Sequence, residues 1–110
     1  GRDAAAAQRL RDDARALDAA GVFALVLECL PAALGAEITA TVGMPTIGIG
    51  AGPGCDGQIL VTHDLLGLHA DLAPKFVKRY AELGDEMRRA FESYRREVEQ
   101  GQFPDASHTY

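Results

Sequence analysis

At 110 residues the chain is long enough for one modest hydrophobic core. Its 47% hydrophobic and 25% charged residues are those of a globular domain, and a net charge of −5 argues against nucleic acid or an anionic membrane as a partner. No apolar run approaches the roughly 20 residues that span a bilayer. The Ala-, Arg- and Asp-rich start lacks an apolar signal core. Cys29 and Cys55 are too few and too far apart for a disulfide framework or a zinc site. They read as reduced thiols in a cytosolic protein, with a disulfide between strand ends left open. The first residue is not Met and the chain opens inside a helical pattern. Together with the order of elements, this points to a piece of a larger protein.

The predicted elements follow in order. Asp3–Ala20 is Ala-rich and free of proline, and Leu10, Ala14, Leu17 and Gly21 keep helical spacing, with Gly21 as the stop. Val22–Leu27 is a continuous apolar run, which suits a parallel strand covered on both faces. It ends at Glu28. A carboxylate at the end of a buried strand is costly unless it has a partner or a task, so a rim ion pair or helix cap and a chemical role are both open. Pro31 suits the first position of a helix over Pro31–Val42, which Gly43 ends.

Thr46–Ile49 predicts a second strand, and from within it Gly48, Gly50, Gly52, Gly54 and Gly57 come in close succession. A second apolar run, Gln58–Thr62, ends in the polar pair His63–Asp64. Strand, helix, strand, glycine loop is a βαβ arrangement with a right-handed crossover. Loops at the carboxyl ends of such strands are where ligands bind; a tight structural turn explains the glycines equally well. Pro74–Leu83 and Asp85–Gln100 read as two helices, or as one bent at Gly84. Phe76, Tyr80, Leu83, Met87, Phe91, Tyr94 and Val98 form a stripe expected to pack in a core. The mixed charges on the other faces mean solvent or a subunit interface. The tail Gly101–Tyr110 reads as surface turns. His69 and His108 are taken as surface residues without partners, and Cys29 as a small buried filler.

Read in order, four stretches and the tail resemble a known family. They are Ala16–Cys29, Pro45–Gly52, Cys55–Asp64, Pro74–Tyr80 and Gly101–Tyr110. Each is weak alone, but their order and spacing together closely resemble the C-terminal part of ketopantoate hydroxymethyltransferase (3-methyl-2-oxobutanoate hydroxymethyltransferase), over nearly the whole chain. The resemblance implies an α/β fold, a (β/α)8 TIM barrel that typically needs about 250 residues. Residues 1–110 would then be a C-terminal fragment of one barrel domain, supplying the last two strand–helix units and the terminal helices.

By the same resemblance, a one-carbon unit passes from 5,10-methylenetetrahydrofolate to 3-methyl-2-oxobutanoate, giving 2-dehydropantoate in pantothenate biosynthesis. The chemistry is proton abstraction beside a carbonyl polarised by keto-acid-chelated Mg2+, followed by attack of the enolate on the methylene group. Glu28 matches the family's base. Gly48, Gly50, Gly52, His63 and Asp64 are expected near substrate or folate, although a hydrogen-bonded turn is the preferred reading of His63–Asp64. No metal ligand is assigned in this chain, since the family's Mg2+-binding acids lie earlier in the barrel. The implied partners are the keto acid, folate and further copies in a cytoplasmic homo-oligomer, with neither nucleic acid nor membrane. The isolated piece is expected to be inactive. Two other readings are carried: an inactive half-barrel serving as an interaction or oligomerisation module, and another Mg2+-dependent keto-acid barrel of the phosphoenolpyruvate/pyruvate superfamily.

Overall fold

The computed structural model describes residues 1–69 and 73–110. Its order is α1 (Ala4–Ala19), β1 (Leu25–Glu28), α2 (Ala32–Thr41), β2 (Thr46–Ile49), β3 (Gly57–Gln58), α3 (Thr62–Leu65), α4 (Leu83–Glu99) and a 3-10 turn at Ala106–His108. The chain forms two compact units, Gly1–Leu60 and Val61–Tyr110, and each is described by itself.

The first unit is a mixed α/β structure. Asp3 caps α1 by accepting the Ala6 amide at 2.8 Å. The helix ends at Gly21, whose φ of 78° few other residues adopt without strain. The three strands are parallel in the order β1-β2-β3. Leu25 pairs with Thr46 and Glu28 with Ile49, while Ile47 pairs with Gly57. The core lies between the helices and one sheet face: Ala14 of α1, Leu27 of β1, Leu34 and Ile38 of α2, and Ala51. Arg11 locks α1 to α2 through a two-pronged bridge to Glu37, at 2.6 and 2.9 Å. That bridge holds the Glu37 carboxyl below its usual range. The Asp18 carboxylate accepts the Gly43 amide at 3.1 Å and so ties the end of α1 to the turn before β2.

Several expectations change here. β1 is covered on one face only: Leu27 is buried while Val26 and Glu28 are exposed. Alternation along the strand puts Val26 and Glu28 on the face away from the helices. Phe23 precedes the strand and is 92% exposed. Pro31 stands one position before α2, at its cap. The connection from β2 to β3 has no helix of its own. It returns along α2, and a Cβ at Gly52 would lie 2.4 Å from the Ala32 Cβ and one at Gly54 2.6 Å from that of Ala36. Parallel strands usually need a crossover of about a dozen residues or more. Here α2, already in place, supplies the surface over which a shorter, turning connection runs.

In the second unit Thr62–Leu65 forms one helical turn. Pro74–Glu82 is not helical. Within it the Val77 amide closes a turn on the Pro74 carbonyl at 2.9 Å and the Tyr80 amide bonds the Leu65 carbonyl at 2.8 Å, while the first amides of the next helix, Leu83 and Gly84, bond the carbonyls of Leu66 and Gly67 at 3.0 and 2.9 Å. α4 begins at Leu83, so Gly84 lies in its first turn and marks no bend. The apolar stripe is exposed along α4, with Met87, Phe91, Tyr94 and Val98 all on the surface. Gly101 closes the helix at φ 66°, and Phe103 of the tail meets Tyr94 edge-on at 5.6 Å. Among the described residues no helix is long and apolar enough to cross a membrane.

Candidate functional site

β1 stays in the sheet through Glu28 because Val26 and Leu27 are apolar and strand-prone, and because the ladder with β2 continues one step further. The Cys29 amide donates to the Ile49 carbonyl at 2.9 Å. Glu28 faces Ile49 in register, and Gly50 follows directly with φ 68°. Glu28 and Gly50 therefore share the carboxyl end of the sheet. Glu28 is exposed there; on the other face of β1 an apolar cleft of about 150 Å3 runs between the strand and Leu10, Ala14 and Leu17 of α1.

The other predicted glycines do something different. A Cβ at Gly48 would meet the Cys55 sulfur at 3.0 Å and the Gln58 amide group at 3.1 Å. Gly48 and Gly52 thus make room for the chain's own packing. The Gln58 side chain donates to the Gly52 carbonyl at 2.9 Å and closes the loop on itself. Cys29 is exposed rather than buried, and both thiols are free.

Sequence reasoning missed a polar cluster at the opposite end of β2. Thr46 is fully buried. Its amide and hydroxyl donate to Asp56 Oδ2 at 2.8 and 3.1 Å, and the Asp56 amide donates back to the Thr46 hydroxyl at 3.2 Å. Thr39 of α2 reaches both the Thr46 hydroxyl at 2.8 Å and the Gly35 carbonyl at 2.9 Å. The two hydroxyl hydrogens thus serve three contacts, and the cluster clamps α2, β2 and the return loop together. The only sequence signal was an acid beside a glycine before an apolar run.

His63 and Asp64 belong to the second unit, in α3. His63 is exposed, and Asp64 pairs with His69 Nε2 at 3.1 Å, so His69 is not the unpartnered surface residue expected. A cleft of about 280 Å3 in this unit is lined by His69, Arg79, Glu82, Gly84, Asp85 and Arg88, among others. Its cations are matched by carboxylates: Arg79 with Glu82 at 3.4 Å, and Arg88 with Asp85. His108 also has partners. Asp105 accepts from the Ser107 hydroxyl and from His108 Nδ1, both at 2.7 Å, and these bonds hold its carboxyl below the usual range. Both Ser107 and Asp105 meet the same ring nitrogen, so the trio caps a turn and is no relay for a nucleophile. Among the described residues no group of three or more His, Cys, Asp or Glu side chains is arranged to hold a metal ion.

The family model of ketopantoate hydroxymethyltransferase matches residues 1–106. This chain belongs to the ketopantoate hydroxymethyltransferase family. It is 57% identical over all 110 residues to the 3-methyl-2-oxobutanoate hydroxymethyltransferase of Nitratidesulfovibrio vulgaris (strain DP4), covering 36% of that protein. It is 59% identical to the protein of the same name from Oleidesulfovibrio alaskensis and 58% identical to that of Moorella thermoacetica, covering 38% and 41% of them. The chain thus spans well under half the length of these ketopantoate hydroxymethyltransferase relatives.

Proposed function

We propose that this chain is the C-terminal portion of a (β/α)8-barrel hydroxymethyltransferase. In full length that enzyme moves a one-carbon unit from 5,10-methylenetetrahydrofolate to 3-methyl-2-oxobutanoate and releases 2-dehydropantoate. Membership of the family and the names of its relatives support the reaction class. The observation that carries the reading for this chain is the place of Glu28, the last residue of β1, opposite Ile49 and beside the left-handed turn at Gly50.

In this reading Glu28 is the base. Its carboxylate takes the proton from C3 of the keto acid, and the electron pair of the C–H bond enters the enolate. Water releases the methylene carbon from folate at the formaldehyde level, breaking both C–N bonds and freeing tetrahydrofolate, and the enolate carbon adds to it, so the new hydroxyl oxygen comes from water. Gly50 gives the reacting atoms room at the strand ends. Gly48 and Gly52 act through packing, and His63 and Asp64 are proposed on the folate side, with Asp64 also holding His69. The residues described here do not make a magnesium site, so the ligands for Mg2+ are proposed to lie elsewhere in the full-length protein. So are the strands that would cover the open sheet face and screen Glu28 from water.

The test is deuterium exchange at C3 of 3-methyl-2-oxobutanoate. Full-length protein should catalyse it and Glu28→Gln should not; exchange at the normal rate in that variant removes Glu28 from the role. An interaction or oligomerisation module is the second reading, favoured by the exposed stripe Met87, Phe91, Tyr94 and Val98. Such a protein catalyses no exchange at all.

A further inference from the structure

Cys29 is the one described non-glycine residue with a left-handed backbone, at φ 54°. Every other left-handed position among those described is glycine: Gly21, Gly50, Gly52, Gly67 and Gly101. A side chain in that region is strained, so the chain uses glycine wherever it merely turns and departs from the habit once. The departure comes immediately after Glu28.

Ordinary packing does not account for it. Cys29 is exposed, its thiol is free, and it is absent from the cluster that forms the core. The backbone, in contrast, is tied on both sides. The Cys29 amide donates to the Ile49 carbonyl at 2.9 Å, so the step after Glu28 is bonded to the step before Gly50. The two neighbouring parallel strands then leave the sheet through left-handed residues, Cys29 at φ 54° and Gly50 at φ 68°. On the far side, Leu30 packs against the core and Pro31 fixes the entry to α2 with φ −55°. A glycine at 29 would relieve the strain and open a much wider range of backbone angles. A residue with a Cβ admits only the narrow left-handed well.

We propose that residue 29 is a positioning residue for the reaction proposed above, acting through Glu28: a side-chain-bearing left-handed step narrows the backbone at the strand end and so fixes the direction of the Glu28 carboxylate. This inference rests on the assignment of Glu28 as base. The thiol has no part in it; the constraint comes from the Cβ.

The experiment compares Cys29→Gly and Cys29→Ala in the full-length protein. Cys29→Gly should fold with a melting temperature at or above that of the parent and keep its KM for 3-methyl-2-oxobutanoate. Its kcat and its rate of C3 deuterium exchange should fall together, roughly ten- to a hundredfold, as a misaimed reacting group requires. Cys29→Ala, which retains a Cβ, should restore both. Parental kcat in Cys29→Gly overturns the inference, and so does a Cys29→Ala variant as slow as Cys29→Gly, since that would make the sulfur the cause. Glu28→Gln, run in parallel, separates the two ideas. If it abolishes exchange while Cys29→Gly behaves as the parent, only the positioning role is lost. If Glu28→Gln exchanges normally, the base assignment fails and takes this inference with it.

Discussion

Thr46 carries a hydroxyl and an amide into a fully buried position, which is stable only because Asp56 and Thr39 satisfy them. Thr46→Val keeps the shape and removes the hydroxyl, leaving the Asp56 amide without its acceptor. We expect a loss of about 1–3 kcal/mol in chemical denaturation of the full-length protein; an unchanged midpoint would mean that the cluster contributes nothing net. None of this was legible in the sequence, because partners ten positions apart across a loop leave no periodic trace. Glu28 was legible, since it is the first charged residue after an unbroken apolar run and a strand-end carboxylate needs a reason. Its solvent exposure was not, because covering a sheet face depends on elements that these residues do not supply. Cys29 was misread for a related reason: small apolar residues are usually buried, and a positive φ is invisible in sequence unless glycine announces it.

At the level of elements, α1, α2 and β2 stand within a residue of where periodicity and stop signals put them. Pro74–Glu82 does not, although Phe76, Tyr80 and Leu83 keep helical spacing. Spacing reports only which side chains would share a face. It does not report where the amides find acceptors, and here Tyr80 bonds the Leu65 carbonyl at the end of α3 while Val77 bonds Pro74 in a turn. The glycines tell a similar story. Gly35 sits inside α2, where alanine is intrinsically better by about 1 kcal/mol. A Cβ there would stand 2.5 Å from the Ala51 carbonyl oxygen, closer than any real contact. Gly35→Ala should therefore destabilise the full-length protein by about 1–3 kcal/mol despite its helix propensity, lowering the thermal midpoint. A rise would mean that α2 and the return loop separate easily.

For the molecule as a whole, the exposed features fall into two groups. In the first unit Val26, Phe23 and Ile59 face solvent, and among the described strands β1 has one neighbour only. In the second unit α4 buries none of its residues. The order and spacing of the motifs made the family legible from the sequence. The α4 stripe was expected inside a core, because helical spacing cannot distinguish packing within one chain from packing against another.

The return of the chain along α2 has a last consequence. β3 brings no helix of its own, and the loop that leads into it lies against α2 at Gly52 and Gly54, so the strand is tied to that helix through its approach. Amide hydrogen exchange in the full-length protein should register this as a single cooperative opening. The protected amides of Thr46 and Ile59, bonded to Asp56 and to the Gly48 carbonyl, should exchange with the same opening free energy as those in the middle of α2. Ile59 becoming labile while α2 stays protected would mean that the end of the sheet opens independently of that helix.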